Sequence, residues 1–253
     1  MKWLYRLCKR YVRRIDGYSY NPEKNGERWL VSRLSQHDVT VVFDVGANLG
    51  SWTGAALEAC PNASVHAFEL SASTYRQLVS GPGGDPRCVP NPFGLSDEEG
   101  SVEYKDYGEG SGKNTLLTEA DFHDRRTPPT RLQGRVSTGD RYCLEHGIER
   151  IDVLKIDVEG AEHRVLAGFE SLLARRAIGL VQFEYGYTHG DARFLMRDFY
   201  ALFKRHDYIV GPLRHGGVQF CEWDYKLNGF ESGPNFVAVR RDDRALVELV
   251  GAG

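Results

Sequence analysis

The sequence predicts an α/β protein with a doubly wound, mostly parallel sheet, and three segments carry this prediction. Residues 41–45 form an apolar, β-branched run that is followed by a Gly-rich turn and an amphipathic stretch. This is the strand–turn–helix opening of nucleotide-binding α/β folds. Residues 64–69 and 152–157 read as two further strands, and each ends in an acid. Open α/β sheets bind ligands beyond the carboxyl ends of their strands, so these acids mark a candidate site in a Rossmann-like fold.

An N-terminal helical extension, residues 1–38, is predicted to precede a domain that spans residues 39–253. Residues 1–14 hold six basic residues and no acid, a net +6, so the remaining chain must carry −9 to give the overall −3. Leu4, Leu7 and Tyr11 recur there at helical spacing. The stretch therefore predicts a basic amphipathic helix, which is too polar to be a membrane span or a secretory signal.

The remaining elements alternate along the chain as this fold requires. Residues 101–107 are expected to pair with residues 114–117 in a hairpin, and the polar residues 119–133 to form a lid over the site or a solvated loop. Helices are predicted at residues 23–34, 52–59, 162–174 and 192–205 and around Tyr142, and further strands at residues 88–95, 177–185, 208–213 and 235–240.

The turn after the first strand indicates the kind of ligand. Gly46 and Gly50 allow a tight turn and a close approach of the backbone to a ligand. A dinucleotide-binding turn would have glycine where this chain has Asn48, which disfavours an NAD-dependent enzyme. Asp44, just before the turn, would repel a phosphate but suits a cation. We therefore expect S-adenosylmethionine, which carries an amino group and a sulfonium but no phosphate.

Glu69 lies 19 residues beyond Gly50, at the end of the second predicted strand. An acid at about this spacing accepts hydrogen bonds from ribose hydroxyls in dinucleotide-binding folds. The alternative is that Glu69 caps the helix that begins near Ser71 and touches no ligand. Ribose binding is the favoured interpretation.

The segment 151–162 begins as a predicted strand that contains Lys155, and acids follow at positions 157, 159 and 162. Because side chains alternate along a strand, Lys155, Asp157 and, if the strand continues, Glu159 share one face. A lysine in an apolar strand is costly to bury alone, so we expect Lys155 to contact an acid. Glu162 is expected to lie in the first turn of the next helix, where the helix dipole favours an acid. Asp157 is expected at the carboxyl end of its strand, where open α/β sheets bind ligands.

Four segments in order, FDVGANLGSW, HAFELS, NPFGLSDEEG and DVLKIDVEGAEHRVLAGFESLL, resemble the FkbM-type methyltransferases. The resemblance extends from about residue 41 to residue 240, and KIDVEGAE is its most specific part. It implies the seven-stranded class I fold, in which the last two strands form an antiparallel edge pair. It also implies S-adenosylmethionine-dependent transfer of a methyl group to a hydroxyl of a sugar, a glycan or a secondary metabolite.

Within this framework the site residues follow from the strand ends and the loops beyond them. The donor-binding residues are predicted to be Asp44, Gly46, Asn48, Gly50, Ser51, Glu69, Leu70, Asn91 and Phe93. The candidate bases are Asp157, Glu184 and His189, and the candidate acceptor contacts are Glu159, Tyr185 and Tyr187; His163 is expected to be an ordinary helix-face histidine.

Two further features concern metals and thiols. Asp157, Glu159 and Glu184 are oxygen donors that could hold Mg²⁺, but we expect a metal-independent enzyme with no metal ligand. The five cysteines form no CxxC pair and are odd in number, so we expect reduced thiols in a cytoplasmic protein.

Partners are constrained by charge. The overall −3 gives no case for nucleic acid. The basic helix is expected to pack on its own domain or on a second subunit in a homodimer. It could instead lie on the anionic inner face of a membrane, which would suit a lipid-linked glycan acceptor. Nucleic-acid binding by the basic helix is the least favoured alternative.

The acceptor itself is not evident from the sequence. The loops that would contact it, around residues 108–134, 186–191 and 214–233, are polar without indicating a substrate. An N- or carboxyl-methyltransferase and a non-catalytic binding or scaffold protein on the same fold are the alternatives.

Overall fold

A computed structural model of the protein describes residues 2–15, 18–117, 128–230 and 233–252. The helices are α1 Lys2–Ile15, α2 Pro22–Asn25, α3 Glu27–Leu34, α4 Ser51–Ala59, α5 Ala72–Ser80, α6 Gly139–His146, α7 Glu162–Ala167, α8 Glu170–Ala174, α9 Thr188–Ala192, α10 Met196–Arg205 and α11 Arg244–Val250. The strands are β1 Val41–Val45, β2 Ser64–Phe68, β3 Cys88–Asn91, β4 Gly94–Leu95, β5 Gly100–Asp106, β6 Thr130–Ser137, β7 Ile151–Ile156, β8 Ile178–Glu184, β9 Tyr208–Arg214, β10 Gly217–Val218 and β11 Asn235–Arg240.

The main sheet has the order β10-β9-β11-β8-β7-β1-β2-β3. Strands β3, β2, β1, β7 and β8 run parallel, and β11 is antiparallel to both β8 and β9. The doubly wound fold and the antiparallel edge pair are thus confirmed. The sheet has eight strands rather than seven, because a tight turn after Arg214 folds the two-residue strand β10 back onto β9.

Each face of this sheet carries its own hydrophobic core, because neighbouring strand residues point to opposite faces. Phe43 belongs to the core that also holds Phe68 and Phe183, whereas Val42 belongs to the opposite core. Leu30 and Leu34 of α3 lie in that second core with Val42. The second helix of the predicted extension is therefore an integral part of the domain core.

The small sheet differs from the predicted hairpin. Strand β5 pairs along its whole length with β6, whereas residues 114–117 contribute a single isolated bridge, Thr115 to Lys105. Gly134 of β6 makes room for Leu70, since a Cβ at that glycine would lie 2.4 Å from Leu70 Cδ1. The predicted loop 119–133 is therefore a strand from Thr130 onward, and residues 118–127 lie outside the described part of the chain.

Helix 162–174 is also divided in the structure, into α7 and α8. Gly168 lies between them and approaches the small sheet so closely that a Cβ there would be 2.1 Å from the carbonyl oxygen of Ser96. The break lets the chain follow this contact, which helical periodicity does not reveal.

Candidate active site

A cavity of about 320 Å³ lies beyond the carboxyl ends of β1, β2, β7 and β8. This volume is typical of small-molecule sites, and its position is the point where the strand order reverses, the usual ligand crevice of open α/β sheets. Among the predicted site residues, those that line it are Gly46, Asn48, Glu69, Leu70, Asp157, Glu159 and Glu184.

The turn after β1 owes its shape to three residues with left-handed backbone, Gly46, Asn48 and Gly50. Gly46 has φ +79°, and a Cβ there would lie 1.9 Å from the carbonyl oxygen of Asp157. Its N–H and that of Ala47 donate to the carbonyl of Phe68, at 3.0 and 2.9 Å. Asn48, with φ 50°, donates its N–H to Glu69 Oε2 at 2.9 Å. The tight turn was predicted from the sequence, whereas the close approach of the loops after β1 and β7 that glycine at 46 permits was not.

Glu69 both holds the loops and borders the cavity. Besides accepting from Asn48, it accepts the N–H of Ser71 through Oε1 at 2.8 Å. Burial raises the pKa of Glu69, and the two backbone hydrogen bonds oppose that rise. Glu69 therefore does cap the start of α5, as the alternative interpretation expected. It leaves lone pairs on both oxygens for a ligand, because a carboxylate can accept about four hydrogen bonds.

Asp44 does not line the cavity, contrary to its predicted role as a donor contact. Its side chain is fully buried, Oδ2 accepts from Thr53 Oγ1 at 2.6 Å, and Oδ1 lies 3.1 Å from Lys155 Nζ. The packing of α4 against β1 brings Thr53 onto the acid, which removes Asp44 from any ligand. Asp44 acts on the site through its contact with Lys155 and through its charge, which adds to the rise in the pKa of Glu69.

Lys155 is the buried cation beneath the cavity. Its Nζ donates to the carbonyl of Gly46 at 3.1 Å and lies 3.5 Å from Asp157 Oδ2. Burial by itself would lower the pKa of Lys155, but attraction from Asp44, Asp157 and Glu27 outweighs it and raises that pKa. The expectation that this lysine contacts an acid is confirmed, and the contact holds the turn after β1 against β7.

Asp157, Glu159 and Glu184 form an acid triad, since an oxygen from each lies within 4.8 Å of the others. Burial raises the pKa of both Glu159 and Glu184 well above the ordinary carboxyl range, and repulsion from Asp157 adds to the rise. A hydrogen bond from the protonated Glu184 carboxyl to Asp157 contributes further to the rise in the pKa of Glu184. Carboxyls this close cannot all be ionised without a cation, so the triad holds a proton or attracts positive charge.

One wall of the cavity comes from the extension, which sequence reasoning missed. Tyr20, Asn25 and Glu27 line it. Glu27 accepts from Gln182 Nε2 at 2.8 Å and from Asn25 Nδ2 at 3.0 Å, and burial raises the pKa of Glu27. The only sequence signal was an acid near the start of the second predicted helix. Nothing in its spacing placed that helix over the ends of β7 and β8.

His189 is not at the cavity. It is 1% exposed, and its Nε2 lies 2.9 Å from Oε2 of the fully buried Glu162. The other oxygen of Glu162 accepts the N–H of Val158 at 2.9 Å, and His189 Nδ1 contacts the N–H of Gly186 at 3.1 Å. In this structure His189 therefore ties the loop after β7 to the loop after β8 and has no access to a substrate proton.

The tyrosines that follow β8 are also displaced from their predicted roles. Tyr185 is fully buried and donates its hydroxyl to the carbonyl of Asn228 at 3.1 Å. Tyr187 is exposed, and its ring lies 5.2 Å from that of Phe230, away from the cavity lining. His163 stacks on a phenylalanine of the α9–α10 connection, as expected of a helix-face histidine.

The remaining predicted donor contacts are separated from the cavity by packing. Gly50 has φ +83°, and a Cβ there would meet Leu78 Cδ1 at 2.7 Å, so its role is in helix packing. Ser51 borders a neighbouring cavity of about 260 Å³ that shares Gly46, Asn48 and Asp157 with the first.

Asn91 and Phe93, where an adenine contact was predicted, line a separate depression. The side-chain amide of Asn91 donates to the carbonyls of Val89 and Ala67, at 2.9 and 3.3 Å. The ring of Phe93 lies under the guanidinium of Arg135. Both side chains are occupied by the protein itself.

The described side chains that line the cavity carry acidic groups and no basic groups. No lysine, arginine or histidine occurs among the described residues that line it. Lys155 lies beneath and offsets part of the negative charge. Such a site favours a cationic ligand and repels a phosphate. The carboxyls on its lining are Glu27, Glu69, Asp157, Glu159 and Glu184.

Comparison with known proteins gives three informative relatives. The 2-O-methyltransferase NoeI of Sinorhizobium fredii is 29% identical over 58% of this chain and 64% of its own length. The hexuronic acid methyltransferase AglP of Haloferax volcanii is 25% identical over 70% of this chain and 68% of its own. The 31-O-demethyl-FK506 methyltransferase FkbM of Streptomyces tacrolimicus is 34% identical over 51% of this chain and 59% of its own.

The coverage of the relatives varies widely. The chain is also 34% identical to a stretch of the AMB antimetabolite synthetase AmbE of Pseudomonas aeruginosa, of which it spans only 8%. A solved O-methyltransferase of Bacillus cereus aligns with 87% of this chain and 81% of its own, at 11% identity and a TM-score of 0.46. The family assignment therefore rests on the sequence.

The sequence profile described as "Methyltransferase FkbM domain" matches residues 44–210, more than half of the 253-residue chain. The matched region contains the Gly46 turn, Glu69 and the acid triad, which are the parts that the structure brings together around the cavity. The chain belongs to the FkbM methyltransferase family.

Proposed function

We propose that the protein transfers a methyl group from S-adenosylmethionine to a hydroxyl group of a sugar or a secondary metabolite. The observation that carries the proposal is the acidic cavity, which presents five carboxyls and, among its described lining residues, no basic side chain. S-adenosylmethionine, when bound, supplies an electrophilic methyl group on a sulfonium and carries an ammonium as well. Both cations suit this lining.

The residues at the cavity fit the donor in a second respect. The turn 46–48 brings backbone close to the cavity without a side chain at Gly46, and Glu69 keeps free lone pairs at the end of β2. We propose that Gly46, Asn48, Glu69 and Leu70 hold the donor, with Glu69 accepting from ribose hydroxyls.

We propose that the acid triad supplies the general base that deprotonates the acceptor hydroxyl. A general base works best when its pKa lies near the working pH, and burial with mutual repulsion moves the pKa of Glu159 and Glu184 upward in that direction. Oxygens of Asp157 and Glu184 lie within 4.8 Å of each other, and their interaction raises the pKa of Glu184, so we propose that this pair takes up the proton together. Glu159 faces the same space and would contact the acceptor.

A divalent cation is a second way to activate the hydroxyl. The triad offers three oxygens within 4.8 Å of one another, a spacing that Mg²⁺ could bridge. The ammonium of Lys155, 3.5 Å from Asp157, already supplies positive charge to one of these acids. We therefore propose metal-independent transfer.

Carboxyl methylation is the nearest rival, since the name of the relative AglP, a hexuronic acid methyltransferase, leaves the acceptor atom open. An ionised acceptor would have to approach several carboxyls, which costs free energy that a neutral hydroxyl does not pay. The charge of the cavity thus favours the hydroxyl.

Calorimetric titration with S-adenosylmethionine and with its demethylated product, with and without Mg²⁺, tests the donor. Micromolar binding that does not depend on Mg²⁺ is expected. If neither compound binds, the proposal is wrong. If binding requires Mg²⁺, the acid triad is a metal site rather than a general base. Turnover is then measured on matched sugars that carry a free hydroxyl, a free carboxylate or an amine, and only the hydroxyl should become methylated.

A further inference from the structure

Helix α1 exposes an apolar surface that its own domain does not cover. The exposed fraction is 70% for Trp3, 49% for Leu4, 67% for Tyr5, 54% for Leu7 and 67% for Tyr11. Elsewhere in the described chain, exposed large apolar side chains are scattered one or two to an element. A concentration of this kind on one short helix marks an interaction surface. It also contradicts the expectation that this face packs on the domain.

Charge indicates what covers this surface. The stretch 1–14 has a net charge of +6 and contains no acid, while the rest of the chain carries −9. Pairing α1 with α1 of a second copy would bring like charges together, and packing of α1 on the acidic body of a second copy is the competing outcome that the test below separates. An anionic bilayer has the complementary charge, and basic residues next to a membrane are attracted to its anionic surface.

The residue types and length of α1 fit a helix that lies in the plane of a bilayer. Tryptophan and tyrosine concentrate at the headgroup level of membranes, and Trp3, Tyr5 and Tyr11 are of these types. Fourteen residues span on the order of 21 Å, less than the ~30 Å hydrocarbon core. Within the described residues, no helix has both the length and the apolar character needed to cross a bilayer.

We propose that α1 docks the protein on the surface of an anionic phospholipid bilayer, with Trp3, Leu4, Leu7 and Tyr11 inserted at headgroup depth. The proposal does not depend on the donor or the acceptor, so it stands or falls separately from methyl transfer.

Co-sedimentation of the full chain with vesicles tests it. Phosphatidylcholine vesicles are compared with vesicles that also contain phosphatidylglycerol, at low and high salt. Binding to the anionic vesicles only, weakened by salt, is expected. Leu4→Glu and Leu7→Glu should each weaken binding about tenfold or more, because a charge replaces an inserted apolar side chain.

The matched control is Leu144→Glu, which places the same charge at a leucine that is 81% exposed on α6. It should bind vesicles as the unmodified protein does. A blue shift of tryptophan emission on vesicle addition, lost in Trp3→Phe, would support the insertion of Trp3. If the unmodified protein stays in the supernatant, or if Leu7→Glu and Leu144→Glu bind equally, the proposal is wrong. Dimerisation that depends on Leu7, without vesicle binding, would likewise overturn it in favour of a second copy.

Discussion

Asp44 and Asp157 both contact Lys155, yet only Asp157 keeps access to the cavity. The side chain of Asp44 is fully buried, and Thr53 takes its second oxygen. The side chain of Asp157 is 40% exposed and faces Glu184. One lysine thus neutralises a structural acid on one side and positions a functional acid on the other. Burial decides which acid can meet a ligand.

Glu69→Gln is expected to weaken binding of S-adenosylmethionine by about 1–3 kcal/mol. The glutamine amide must turn its NH₂ group toward the N–H of either Asn48 or Ser71, so one backbone donor loses its acceptor. The ribose also loses the ionised acceptor. Calorimetry gives the change in affinity, with Glu58→Gln on the exposed face of α4 as the control. An unchanged affinity would leave Glu69 with its capping role alone.

Glu184→Gln is expected to lower kcat by about 10²–10⁴-fold while changing donor affinity little. For the unmodified enzyme, kcat should rise with pH through a range above the ordinary carboxyl pKa, because the base must be ionised and burial raises the pKa of Glu184. The test is a pH profile of kcat, with the exposed Glu222→Gln as control. Full activity in Glu184→Gln, or a profile flat above pH 5, would contradict the assignment.

At the scale of elements, the site depends on how closely the loops after β1, β7 and β8 approach one another. Gly46 touches the carbonyl of Asp157, and Lys155 donates to the carbonyl of Gly46. The buried Glu162–His189 pair joins the loop after β7 to the loop after β8. These contacts fix the positions from which Asp157 and Glu184 project, so the acid triad is held in place by the contacts between the loops.

Gly46→Ala is expected to reduce both the free energy of unfolding and donor affinity. The added methyl group would lie 1.9 Å from the carbonyl oxygen of Asp157, at a backbone φ of +79° that alanine adopts only with strain. Gly186→Ala adds the same group where nothing lies within 4 Å and serves as the control. Denaturant unfolding and calorimetry report the two effects. A Gly46→Ala protein as stable as Gly186→Ala would contradict the proposed loop contact.

For the whole molecule, the free energy of unfolding depends on pH through a buried histidine and two buried acids, and their effects on it are opposite. Burial, with repulsion from His146 second, lowers the pKa of His66 to about 4. Its Nδ1 lies 2.8 Å from the hydroxyl of Tyr142 within the core. The acids Glu159 and Glu184 have raised pKa values, so they bind protons more tightly in the folded state and oppose the effect of His66.

Comparison of the unmodified protein with His66→Gln isolates the histidine. Unfolded histidine takes up a proton below pH 6.5, whereas folded His66 stays neutral to about pH 4. The unfolded state therefore gains protons as pH falls through this window, and up to about 3 kcal/mol of stability is lost. The loss should be smaller by that amount in His66→Gln, measured by denaturant unfolding at pH 7 and pH 4.5. Parallel losses in the two proteins would contradict it.

The N-terminal segment also acts at this scale. Only residues 16–19 separate the end of α1 from Tyr20, which lines the cavity. A chain of this length spans at most about 18 Å. A bilayer bound by α1 would therefore lie close to the cavity wall, which links the proposed docking surface to the proposed site.

Features that depend on local sequence pattern could be predicted from the amino-acid sequence. Short apolar runs predicted β1, β2, β7 and β8, and the Gly-rich turn predicted where a ligand would bind. Because parallel strands end at one edge of their sheet, the acids Glu69, Asp157 and Glu184 could be placed at one site without coordinates. The family resemblance, carried by the same segments, is confirmed by the profile match.

The tertiary structure alone decided which polar side chains face the cavity. Asp44 and His189 have the residue types and chain positions expected of site residues. In the structure, however, Asp44 is buried against Thr53, and His189 is buried against Glu162. Glu27 reaches the cavity through a hydrogen bond to Gln182, 155 positions away in the chain. Such contacts depend on how helices cross the sheet, and periodicity along the chain carries no information about that packing. The exposure of α1 is likewise decided by what the domain leaves uncovered.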